Sequence, residues 1–71
     1  YPNPSNGLFT VKASFLLKEI TVSGIDGKRL MIQNPNNNQV LLNLEKLEKG
    51  IFFLTLVGEN NQVEVKKILI N

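Results

Sequence analysis

The sequence contains no cysteine, so it has neither a disulfide framework nor a thiolate metal site. It contains no histidine either, which removes the commonest general base and the commonest metal ligand. Its acids are six and scattered, with Asp26 the lone aspartate, which leaves little material for hydrolytic chemistry. An enzyme is therefore not expected, and no catalytic, metal or cofactor residue is assigned. Tryptophan is absent and tyrosine occurs once, so the exposed aromatic platforms of glycan-binding modules are missing. No apolar run approaches the ~20 residues of a membrane-spanning helix.

What is present fits one small domain spanning residues 1–71. Hydrophobic content of 42% is that of a globular chain and argues against disorder. At this length about 60% of the unfolded surface can be buried, so the core must be thin. The net charge of +2 arises from 8 basic and 6 acidic residues. The basic pairs Lys28-Arg29 and Lys66-Lys67 are separated by acids, whereas a nucleic-acid binder concentrates its cations on one face. A solvated surface is the expected role for these lysines, and no nucleic-acid partner is expected.

The densest apolar run, Ile51 to Val57, follows Gly50 and ends at Gly58. It is too short for an ordinary helix and rich in β-branched and aromatic residues, so it reads as a strand. Alternation puts Phe52, Leu54 and Leu56 on one face and Ile51, Phe53, Thr55 and Val57 on the other. Both sets are largely apolar, which predicts a central strand covered on both sides.

Around it, Tyr1-Pro2-Asn3-Pro4 is extended, because each proline fixes its own φ and pushes the preceding residue out of the helical region. The opening has neither a start methionine nor a basic-then-apolar leader, as expected of the tail of a longer protein cut just before Tyr1. Asn6-Gly7 supplies a turn before a first strand in which Phe9, Val11 and Ala13 share a face. Residues 14–18 fit a short strand, a helical turn or a bend. Ile20 and Val22 then alternate inward, Gly24-Ile25-Asp26-Gly27 turns the chain, and Leu30 and Ile32 are expected to return on the inner face of a hairpin.

Asn34 to Asn38 reads as an exposed loop, proline within it opposing aggregation. A strand follows at Gln39 to Leu44, and Leu44 to Gly50 holds one helical turn at most. In the last strand Val63 and Val65 fall on one face and Ile68 and Ile70 on the other. Either both faces there are covered, or a bulge near Lys66-Lys67 shifts the alternation by one. Short strands, turns every eight to twelve residues and no long helix predict an all-β fold, a small antiparallel sandwich or barrel, and the form expected is a small antiparallel Ig-like β-sandwich of six to seven short strands. An OB-like barrel is disfavoured by the lack of interleaved basic and aromatic positions.

Several spaced motifs carry a resemblance. Tyr1-Pro2-Asn3-Pro4 with Gly7, Ile20-Thr21-Val22 leading to Gly27-Lys28, Leu44-x-x-Leu47-x-Lys49-Gly50-Ile51, and Lys66-Lys67-Ile68 together resemble the type A C-terminal sorting domain of the type IX (Por) secretion system. The resemblance implies a secretion signal that directs cargo to the surface or medium of a Gram-negative bacterium via the periplasm. It implies two partners, an outer-membrane translocon and a sortase-like surface peptidase cutting upstream of Tyr1. The candidate recognition residues are those of the motifs: Tyr1, Pro2, Asn3, Pro4, Gly7, Gly27, Lys28, Gly50, Lys66, Lys67 and Ile68. The rival functions are a small adhesive or carbohydrate-binding module and a structural spacer whose edge strands pair weakly between copies.

Overall fold

In the computed structural model, residues 7–70 are described. They form β1 (Leu8–Gly24), β2 (Arg29–Gln33), β3 (Asn37–Asn43), β4 (Gly50–Gly58) and β5 (Val63–Ile70). All pair antiparallel in one sheet of order β2-β1-β4-β5, with β3 also on β1. The fold is all-β as expected. Five strands, rather than six to seven, occur among the described residues, because the stretches 8–13, 14–18 and 19–23 merge into one strand of 17 residues.

That merger depends on irregularities that keep apolar side chains inward. Phe9, Val11 and Leu17 are buried at odd positions, whereas Ile20 and Val22 are buried at even ones. The parity changes where Leu17 pairs Gly58 and Glu19 pairs Val57, so β1 advances two residues while β4 advances one. Lys18 is the extra, bulged residue, and it points to solvent. One edge of β1 serves two partners in turn. Leu8 to Lys12 pair with β3, and Ile20 to Ser23 pair with β2. The Asn34 side chain donates to the Lys18 carbonyl at 3.0 Å, tying the β2–β3 connection to the bulge.

A second irregularity corrects the expectation for β2. The turn closes with Gly24 N–H donating to Lys28 O at 2.9 Å, a register that alone would bring Leu30 opposite Val22. Between Val22 and Ser23 the register shifts, so Val22 pairs Met31 and Leu30 becomes the extra residue. Met31 packs against the core instead, while Leu30 and Ile32 are 42% and 47% exposed. A single bulge has turned the strand over.

β4 is central by pairing, flanked by β1 and β5. Its burial is one-sided, however. Phe52, Leu54 and Leu56 are buried, whereas Ile51 is exposed and Phe53, Thr55 and Val57 are half-buried. The expected cover on both faces is thus corrected: among the described residues one face is covered fully and the other only in part. For β5 the question of a bulge is answered by continuous pairing from Gly50↔Ile70 to Val57↔Val63 without a shift. Ile70 is buried and Ile68 packs against the core, while Val63, Val65 and Leu69 stay on the outer face, each more than half exposed.

The buried side chains form one cluster that draws Phe9, Val11, Leu42 and Leu44 together with Leu17, Ile20, Val22, Phe52, Leu54, Leu56 and Ile70. The sheet therefore curls, bringing the β1–β3 ribbon's inner side onto the same core as β4. Each fully buried aliphatic residue stabilises the fold by about 1.5–3 kcal/mol. With so few of them, every one counts.

Candidate functional site

Residues 1–6 lie outside the described residues, so the positions of Tyr1, Pro2, Asn3 and Pro4 are not assigned. The remaining motif residues separate into structural and exposed sets.

Gly7 belongs to the structural set. Its φ of 89° lies in the left-handed region, and a Cβ there would sit 2.9 Å from the Glu45 backbone nitrogen. Leu44 N–H donates to Gly7 O at 2.7 Å, locking the start of β1 to the β3–β4 connection. Ile20, Thr21 and Val22 are all buried, as are Leu44 and, in part, Leu47. Ile20, Val22, Leu44 and Leu47 hold the core, while Thr21, buried on the opposite face of β1, donates its hydroxyl to the Glu19 carboxylate at 3.1 Å.

Gly27 and Lys28 occupy the β1–β2 turn, where Gly27 N–H donates to Gly24 O at 3.0 Å and Lys28 N–H to the Asp26 carboxylate at 3.0 Å. Gly27 has a φ of 85° and open space where a Cβ would be, so its role is the turn's dihedral alone. Gly50 begins β4 with a φ of 146° and similarly open surroundings. The Lys28 side chain is exposed.

Pairing of Gly24 with Phe52 and of Gly50 with Ile70 gathers the β1–β2 turn, the entry to β4 and the end of β5 at one end of the sheet. There an open groove of about 420 Å³ is lined by Ile25, Leu30, Leu47 and Ile51, with Lys46 and Lys49 beside them. Lys66 and Lys67 lie away from it, opposite Leu54 and Phe53 in the middle of β5. Lys66 Nζ stands 3.6 Å from a Glu64 carboxylate oxygen, with both side chains about half exposed. The structure therefore does not bring Lys28 and the Lys66-Lys67 pair into one site. Ile68, expected as a recognition residue, packs against the core opposite Phe52.

Sequence reasoning missed the outer face of β4–β5, where Val63, Val65, Leu69 and Ile51 stay exposed beside half-buried Phe53, Thr55 and Val57. Its signal was present in the opposed parities of Val63-Val65 and Ile68-Ile70. Among the described residues no cluster of three acidic, histidine or cysteine side chains could hold a metal ion. What the surface offers is shape, cations and apolar strand face.

A model of the family described as the secretion system C-terminal sorting domain matches residues 1–71. No curated protein and no solved structure matches the chain significantly. Domains of this family serve as sorting signals recognised by the type IX secretion machinery, for export to the cell surface or the medium. The spaced motifs, the all-β sheet and this end-to-end match agree, and the chain belongs to the family of type IX C-terminal sorting domains, a family of sorting signals and not a known family of enzymes.

Proposed function

We propose that residues 1–71 act as a single folded address label at the C-terminal end of a longer secreted protein. In this reading the cargo reaches an outer-membrane translocon by way of the periplasm, and a sortase-like surface peptidase then cuts upstream of Tyr1. The observation that carries the reading is the division of the motifs. Ile20, Val22 and Leu44 are consumed by the core and Gly7 by a backbone contact, while Lys28, Lys66 and Lys67 remain at the surface. The core positions make the label fold, and the exposed cations are the part a partner reads. The finer architecture is an Ig-like sandwich, supported by the shared cluster that Phe9, Val11 and Leu42 form with Leu54 and Leu56.

Fusing residues 1–71 to a periplasmic reporter, in a host with type IX secretion, should place the reporter outside the cell. Retention of a folded fusion in the periplasm would refute the address-label reading for this chain. Within a working fusion, replacing both Lys66 and Lys67 by glutamate should reduce export while leaving the melting temperature of the domain unchanged, because rim charges govern encounter rather than fold. Export at the original rate would remove these two lysines from the recognition surface.

A further inference from the structure

β5 differs from every other strand in having one partner and a pairing free of register shifts. Its eight residues pair one-to-one with β4, whereas each of the three pairings of β1 contains an irregularity. Among the described residues no strand pairs the far edge of β5, and its sequence contains no proline or glycine. A regular edge of this kind is a template for one more strand.

The charge pattern of β5 selects the strand that fits. In an antiparallel pair related by a twofold axis perpendicular to the sheet, opposed residues lie on the same face. Centring the axis on Glu64, Lys66 or Lys67 sets that residue against its own like charge. Centring it on Val65 sets Glu64 against Lys66 of the second copy, twice, with Lys67 against Val63 and Val65 against itself. Each chain already holds Lys66 Nζ 3.6 Å from Glu64, so the two pairs would merge into a four-membered ring of alternating charge. On the outer face the 59%-exposed Val65 and its copy would continue the cross-strand row Thr21–Thr55–Val65 from one sheet into the next.

We propose that β5 is a self-complementary edge: two copies of this domain associate by antiparallel pairing of Val63–Lys67 with its counterpart, centred on Val65. The ladder is five residues long and leaves most of each domain free, so the dimer is weak and concentration-dependent. Pairing also covers the edge that carries Lys66 and Lys67, which makes association and partner reading compete.

Sedimentation velocity over a concentration series tests the register directly. The original chain should dimerise, and high salt should shift it toward monomer. E64K and K66E should each remain monomeric at concentrations where the original chain associates, since each places like charges opposite one another twice. Mixed in equal amounts, the two variants should form a heterodimer, because every opposed charge pair is then attractive. Both positions are about half exposed, and a melting temperature for each variant confirms that it is folded. As a second readout, V65C should cross-link to its copy with a short thiol-reactive linker. V63C should not, because its copy lies four residues away along the ladder, at about 13 Å. A chain that stays monomeric at its solubility limit would overturn the proposal. So would dimers that persist in folded E64K, or V63C cross-linking as readily as V65C.

Discussion

β1 and β5 solve the same problem in opposite ways. β1 carries apolar residues at odd positions in its first half and even positions in its second, and a bulge at Lys18 turns both sets inward. β5 also changes parity, from Val63-Val65 to Ile68-Ile70, but it keeps an unbroken register with β4 and leaves the first pair outside. The difference lies in what each strand must cover. β1 contributes Phe9, Val11, Leu17, Ile20 and Val22 to the one core cluster, so a residue misdirected there opens a void. β5 contributes only its last turn of pleat, Ile68 and Ile70, and Val63 and Val65 are free to serve another purpose. An apolar parity change is therefore a bulge where both halves meet the core, and an exposed face where they do not.

Truncation after Lys67 should produce the largest effect on that comparison. It removes buried Ile70, half-buried Ile68 and the pairs to Gly50, Ile51 and Phe52. Loss of most of the ~5–10 kcal/mol expected for a domain of this size should follow, seen as disappearance of a cooperative thermal transition. A retained melting temperature would mean that the end of β5 is no part of the folding unit. Next in size is Leu56→Ala on the covered face of β4, where the side chain is fully buried. Chemical denaturation should show a loss of about 2–5 kcal/mol. Val65→Thr on the outer face should stay within about 0.5 kcal/mol, and equal losses at the two positions would mean that the outer face is covered after all.

The strand character of most of the fold was legible in local pattern. Phe9-Val11-Ala13, Ile20-Val22 and Phe52-Leu54-Leu56 alternate with a period of two, and all three sets sit where alternation directs them. What alternation does not encode is register after a turn. Leu30 and Ile32 have the pattern of inward residues, and only the bulge between the Gly24–Lys28 closure and Met31 reverses them. The 17-residue length of β1 was hidden for a related reason. Leu16-Leu17 followed by Lys18 looks like a break in the pattern when it is a strand stepping past one residue. For the candidate site, the cations and turn glycines were legible as residue types. Their distribution over two separate regions depends on long-range pairing such as Gly24↔Phe52, which no local signal carries.

The smallest effect probes the bulge itself. Asn34 lies in a polar stretch that composition marks only as loop, yet its side-chain amide reaches 16 residues back to the carbonyl of Lys18. That carbonyl belongs to the residue that the β1–β4 ladder skips, so Asn34 supplies a hydrogen bond in the gap between the β3 and β2 segments of the same β1 edge. Asn34→Ala should cost about 0.5–1.5 kcal/mol, toward the lower end because the bond is exposed to water. The informative readout is local. Amide hydrogen exchange should quicken around Leu17 to Ile20 and leave Leu54 to Leu56 unchanged, since the core pairing of β4 and β5 does not depend on the bulge being tied. Faster exchange throughout the sheet would mean instead that β1 folds around this contact, and the two halves of the molecule would then share one stability and not two.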